Sequence, residues 1–364
     1  MSTETETEVV ARPRSPRGRP RLALPEQTLL RHLLLAAAFG VVLFLVSEGL
    51  DPFGNLRLAT AAYYFIALAG LTVLTGLNGQ ISLGHGALMA VGAYTAAILL
   101  GRTHWALAPA LVGSTVVTAA VGVMLGAVAA RLRGPYLAGA TLAFAVGLPA
   151  LADKYPGAFG GENGLDVPPP SPPSSLGENF ALERWEAWIT CLAALIAFVL
   201  LANLVRGRVG RIFRAVRDDE IAAQLAGLNV ARVQVLAFVV SAACAGLAGG
   251  GLVVVTQLAA PGAFQLSLSL ALLTGIVLGG LGSLAGAVWG AIALVMLPAW
   301  SNDLANAFDF SNDVQANLPL ALYGALLLGV ILAAPAGIQG LLRALGRRIG
   351  DLDFGGVKRQ EEGR

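Results

Sequence analysis

The sequence predicts an all-α fold: a polytopic transmembrane helical bundle of about ten helices, with both termini cytoplasmic. Three observations support this. Of the 364 residues, 56% are hydrophobic and only 13% are charged, where an ordinary soluble domain carries about 25% charged residues. The mean hydropathy of +0.72 agrees, and so few charges cannot cover a soluble surface. Apolar stretches of about 17–25 residues, long enough to cross a bilayer, recur down the chain. Finally, Lys and Arg gather in alternate loops.

Residues 1–28 form the first element, a disordered basic cytoplasmic tail. They begin acidic, turn basic, include four prolines, and offer nothing with which to build a core. The apolar stretch that follows has no small-x-small cleavage site, so it reads as an uncleaved first helix. The transmembrane domain spans 29–338, with helices expected at 29–48, 58–76, 81–100, 105–130, 135–152, 186–205, 233–257, 267–281, 284–300 and 318–335. A cytoplasmic tail, 339–364, ends the chain. Gly246/Gly250, Gly275/Gly279, Gly282/Gly286 and Gly286/Gly290 share the spacing that lets membrane helices approach closely.

Orientation follows from the basic residues. With the N-terminus inside, only Arg57, Arg102, Lys154 and Arg184 fall outside, and the other twenty of the 24 fall inside. Two loops are long. The outer loop, 153–185, contains PPPSPPSS and is expected to be extended or irregular over the external mouth. The inner loop, 206–232, is highly charged and has helical periodicity.

Several function classes are excluded. The two lysines, Lys154 and Lys358, do not follow a Gly-rich turn, so no phosphate-binding loop is present. The three histidines lack metal-ligand spacing, and there is no Gly-x-Ser-x-Gly. Cys191 and Cys244 lie in apolar runs and read as packing residues. Asp51, Asp153, Glu183, Asp303, Asp309 and Asp313 fall in outer loops or at the rim, whereas an ion-driven carrier needs charge near the midplane.

In the inner loop, Asp218 or Asp219 can open a short helix over 218–226, and Gly227 stands where a left-handed stop belongs. Arg214 and Asp218 are four apart, a supporting pair. Ile221 and Leu225 share a face, and Ala222 and Ala223 give a low profile to a partner. The alternative is a solvated loop that only satisfies the positive-inside rule.

The stretch RDDEIAAQLAGLN (217–229) resembles the EAA-type coupling loop of ABC importer permeases, and more narrowly the LivH/LivM group that imports branched-chain amino acids. GLNGQISLGHG (76–86), RGPYLAGATLAF (133–144), GGENGL (160–165) and VLGGLGSLAG (277–286) resemble the same group, so the likeness spans about 57–300. Length and the long outer loop look LivM-type. The resemblance implies a transport subunit of a bacterial plasma (inner) membrane importer, not an enzyme, without a cofactor of its own. ATP would be hydrolysed on separate ABC ATPase subunits. It also implies a second homologous permease subunit, an external solute-binding protein and a surrounding lipid bilayer as partners, and no nucleic acid. The coupling residues carried over are Arg217, Asp218, Asp219, Glu220, Ala222, Ala223 and Gly227. This chain departs from the wider pattern: Ile221 separates Glu220 from Ala222-Ala223.

A second candidate is the polar run 78–86. Irregular, Gly-rich backbone at membrane depth is tolerated only where protein or water covers it. Gln80, Ser82 and His85 therefore read as pathway-lining, with Thr141 beside them, or else as an interfacial helix start with local hydrogen bonds. Urea or short-chain amides are the alternative substrates. A stand-alone secondary carrier is the alternative class.

Overall fold

A computed structural model describes residues 28–307 except 133 and 178–179, scattered positions between 318 and 329, and residues 337–345. The tails 1–27 and 346–364, and most of the expected helix 318–335, lie outside the described residues. α1 (Thr28–Gly49) and α2 (Pro52–Leu71) form the first hairpin; α2 continues through a π-helical turn, Thr72–Leu77. α3 (His85–Ala97), α4 (Leu107–Ala129) and α5 (Pro135–Lys154) follow, then a single turn, α6 (Pro156–Phe159). α7 (Leu182–Arg206) leads into two short helices, α8 (Arg208–Asp218) and α9 (Glu220–Leu225). α10 (Val230–Thr256), α11 (Leu266–Gly279) and α12 (Leu284–Ala307) complete the bundle.

Eight helices among the described residues are long and apolar enough to cross a membrane: α1, α2 with its π turn, α4, α5, α7, α10, the unit Pro261–Gly279 and α12. The expected ninth, 81–100, starts only at His85, because residues 78–84 leave the helix. Residues 337–345 are helical, and of these 339–345 fall in the expected tail.

The helix ends sort into two sides. On one side, His32 Nδ1 meets Asn203 Oδ1 at 3.0 Å, Arg217 donates to the Gly76 carbonyl at 2.8 Å, and Arg343 donates to Ser283 Oγ at 3.1 Å. On the other, Arg184 pairs with Glu48 at 3.2 Å and Arg102 donates to the Gly157 carbonyl at 3.0 Å. The outer loop is not wholly irregular. Its β1 (Leu165–Asp166) pairs antiparallel with β2 (Leu258–Ala259), tying the loop to the end of α10. These two sides coincide with the inner and outer segments that the basic residues separate.

α10 is the central post, packed on α4, α3 and α2 and buried along almost all of its second half. Glycine makes this possible. A Cβ on Gly249 would stand 2.0 Å from the Met89 carbonyl oxygen, and one on Gly92 would stand 2.4 Å from that of Gly246. The backbones of α3 and α10 therefore touch, and van der Waals packing replaces the hydrophobic drive that lipid removes. The apolar side chains of α4 that face away, such as Val112, Val116 and Met124, are exposed, as a lipid-facing surface requires.

Gly249→Leu should collapse this seam, because overpacking costs about 1–3 kcal/mol and here the obstacle is backbone. Gly139→Leu, on α5 with open space around it, should be tolerated. Size-exclusion profiles and thermal melts of the two purified variants check the contrast.

Candidate functional site

Two features build the site: the short helical pair between α7 and α10, and the helix break at 78–84. The inner loop, expected to hold one helix, holds two. α8 is amphipathic: Gly210, Phe213 and Val216 are buried on one face, while Arg208, Arg211 and Asp218 on the other are exposed. α9 is capped as the residues require. The Asp219 carboxylate accepts from the Ile221 and Ala222 N–H groups at 2.8 and 3.0 Å, satisfying two orphan donors. Gly227 closes the pair at φ +84°, where a side chain would be strained.

Three details differ from expectation. Ala223 is not offered outward; it is only 4% exposed and packs with Val216 and Val230. The face turned out is Ile221, 71% exposed, with Ala222 and Leu225, 86% exposed. Arg214 does not pair with Asp218; it donates to the Val205 carbonyl at 3.4 Å, while Arg217 reaches Asp218 at 2.9 Å. Glu220 accepts from Gln234 Nε2 at 3.0 Å, which fixes α9 against the start of α10.

The break lies between the π turn of α2 and α3. Gly79 takes φ +77°, and the Gly79 and Gln80 N–H groups return to the Thr75 and Leu74 carbonyls. Thr75 Oγ1 donates to the Gln80 carbonyl at 3.0 Å. Ahead of α3, the Leu83 N–H donates to Thr141 Oγ1 on α5 at 3.0 Å, and the Gly86 N–H to Ser269 Oγ on α11 at 3.0 Å. Ser82 Oγ accepts from the Gly84 N–H at 3.3 Å. His85 Nε2 lies 2.9 Å from the Ala67 carbonyl; a carbonyl only accepts, so this nitrogen carries the proton. Gln80, Ser82, His85 and Thr141 are thus brought together, all buried, and the bonds of the last three hold the break in place.

Polar atoms are nonetheless left over. Asn78 Oδ1 and Nδ2, Gln80 Oε1 and His85 Nδ1 are buried without a hydrogen-bond partner among the described residues, an expensive arrangement for a static core. One buried carboxylate escaped the reading of the sequence. Glu186, in the second turn of α7, is 2% exposed and accepts from Gln257 Nε2 at 3.2 Å. Its partner is 71 residues away, beyond any local pattern.

Residues 53–335 match the family described as branched-chain amino acid transport system / permease component. The chain belongs to that family. The permease is 32% identical to the high-affinity branched-chain amino acid transport system permease protein LivM of Salmonella typhimurium, over 76% of this chain and 71% of the relative. It is 30% identical to the LivH permease protein of Escherichia coli strain K12, over 77% and 92%. It is 29% identical to the autoinducer 2 import system permease protein LsrC of an Enterobacter species, over 76% and 84%. No solved structure matches the chain significantly. Membership accounts for the multi-pass helical body of the permease, with ATP hydrolysis on a separate subunit.

In this permease the Thr141 hydroxyl is, among the described residues, the only acceptor for the Leu83 N–H. Thr141→Val should leave that half-buried N–H without its protein partner, costing about 1 kcal/mol. Thermal unfolding of the purified permease should show a lower Tm for Thr141→Val and a near-native one for Thr141→Ser.

Proposed function

We propose that this permease is the LivM-type transmembrane subunit of an ATP-driven ABC importer, moving branched-chain amino acids across the bacterial plasma (inner) membrane. An external solute-binding protein delivers the substrate. A second, homologous permease subunit completes the pore, and ATPase subunits dock from the cytoplasm. The family description and the LivM and LivH relatives support branched-chain amino acids over urea or short amides. A separate energy-coupling subunit also fits this chain better than a stand-alone carrier: Glu186 sits near the outer end of α7, bound to Gln257, rather than at the midplane.

The observation that carries the proposal is the outer face of α9. Ile221 and Leu225 are large, apolar and almost fully exposed, yet they stand on a helix fixed by Asp219, Gly227 and the Glu220–Gln234 bond. They also belong to the arginine-rich segment 206–232, which we infer to be cytoplasmic. Such an anchor fits a groove on a partner protein. The role of Asp219 is then to build and place the helix, Asp218 holds the Arg217 guanidinium, and Ala222 gives the helix a low profile beside Ile221.

Leu225→Glu should leave the amount of permease in the membrane unchanged, because the native side chain touches little. Docking should weaken about tens- to hundreds-fold, as for a truncated anchor residue, seen as lost co-purification of the ATPase and lost leucine uptake. Ala223→Arg should instead disturb the α8–α9 packing against Val230 and lower the membrane level as well. Cysteine labelling in intact cells should reach 153–185 from outside and leave 206–232 unlabelled.

A further inference from the structure

We propose that Arg217 is a positioning residue that couples the docking helices to the helix break; the proposal rests on the importer reading above. Arg217 ends α8, next to the Asp219 cap of α9. Its guanidinium points away from the docking face. It donates to the Gly76 carbonyl at 2.8 Å and to Asp218 at 3.1 and 2.9 Å. Its aliphatic stem lies on Gly79, where an added Cβ would be 2.8 Å from Arg217 Cγ. One side chain therefore grips both ends of the turn 76–79. The carbonyls at the end of α2 carry the negative end of the helix dipole, which a guanidinium complements.

From that turn the contacts continue into the membrane domain. A Cβ on Gly76 would stand 2.4 Å from the Gly282 nitrogen, so the turn abuts the α11–α12 junction. Beyond it, Leu83 is bonded to Thr141 of α5 and Gly86 to Ser269 of α11. The segment between, with Asn78 and Gln80, holds buried polar atoms unsatisfied in this conformation. Those atoms favour a second arrangement in which they find partners. Movement of α8–α9 by the ATPase pulls on Gly76 and Gly79 through Arg217, and shifts α5 and α11 through the break.

The test uses the complete transporter, with its ATPase, second permease and binding protein, in proteoliposomes with leucine as the probe. Arg217→Met keeps the length and loses the donors. The ATPase should still co-purify with it, ATP-driven leucine uptake should fall about tenfold, and ATP consumed per leucine should rise correspondingly. Gly79→Ala sets a Cβ against the Arg217 stem and also strains the φ +77° turn on which that stem rests, so it should raise the ATP consumed per leucine at least as much. In the double variant the two defects should not multiply. A merely structural role would lower uptake and hydrolysis together and leave their ratio unchanged. An unchanged ratio in both variants overturns the proposal, as does loss of ATPase co-purification in Arg217→Met, which would place Arg217 in docking. If Arg217→Met fails to reach the membrane, the ratio in Gly79→Ala decides. Failure of the unaltered chain to retain any ATPase would instead overturn the importer reading.

Discussion

A backbone that leaves the helix inside a bilayer must find its hydrogen bonds within the protein, and this constraint shapes the permease around residues 78–84. The Gly84 and Gly86 N–H groups are buried and the Leu83 N–H is half-buried, and Ser82, Ser269 and Thr141 accept from them. Each acceptor sits on, or fixes, a different element. α5 and α11 are thereby held to the start of α3, and His85 ties that start to α2 through the Ala67 carbonyl. The break costs helix hydrogen bonds, and the neighbouring helices offset that cost through specific polar side chains. Moving one of these elements therefore disturbs the bonds of the others.

The rest of the bundle is built for close approach. With lipid on the outside there is little hydrophobic gain in bringing helices together, so contact area and small residues decide the packing. The α3–α10 seam at Gly92, Gly246 and Gly249 brings backbone against backbone. The same device recurs where α11 meets α12: a Cβ on Gly279 would stand 2.0 Å from the Gly286 carbonyl oxygen. The α3–α10 seam, with α4 and α2 packed on α10, is the close-packed frame beside which the break and the α8–α9 pair lie.

Much of this was legible in the sequence, for physical reasons that differ by element. Membrane spans are long apolar runs, so eight of them could be placed from composition alone. Asp219 and Gly227 were legible because capping is local chemistry, written within a few residues. Polarity marked the run 78–86 as irregular, but where α3 begins depends on distant acceptors, so its start moved from 81 to His85. α8 was hidden by its arginines: its apolar face needs only Gly210, Phe213 and Val216, and the charges between them dominate any average. The inward turn of Ala223 was illegible because its partners, Val216 and Val230, come from two other helices. The Glu186–Gln257 pair was illegible for the same reason.

Docking and transport are then linked by a short path. If the outward face of α9 receives the ATPase, as proposed, Arg217 would carry its displacement to Gly76 and Gly79, and the break would pass it to α5 and α11. The most direct measurement is amide hydrogen exchange on the reconstituted transporter, with and without a non-hydrolysable ATP analogue. At rest, the Leu83, Gly84 and Gly86 amides should be strongly protected. On nucleotide binding to the partner, residues 217–227 should gain protection and 78–86 should lose it together. If 217–227 respond while 78–86 remain unchanged, docking and the break are not mechanically joined, and this account of the permease is wrong.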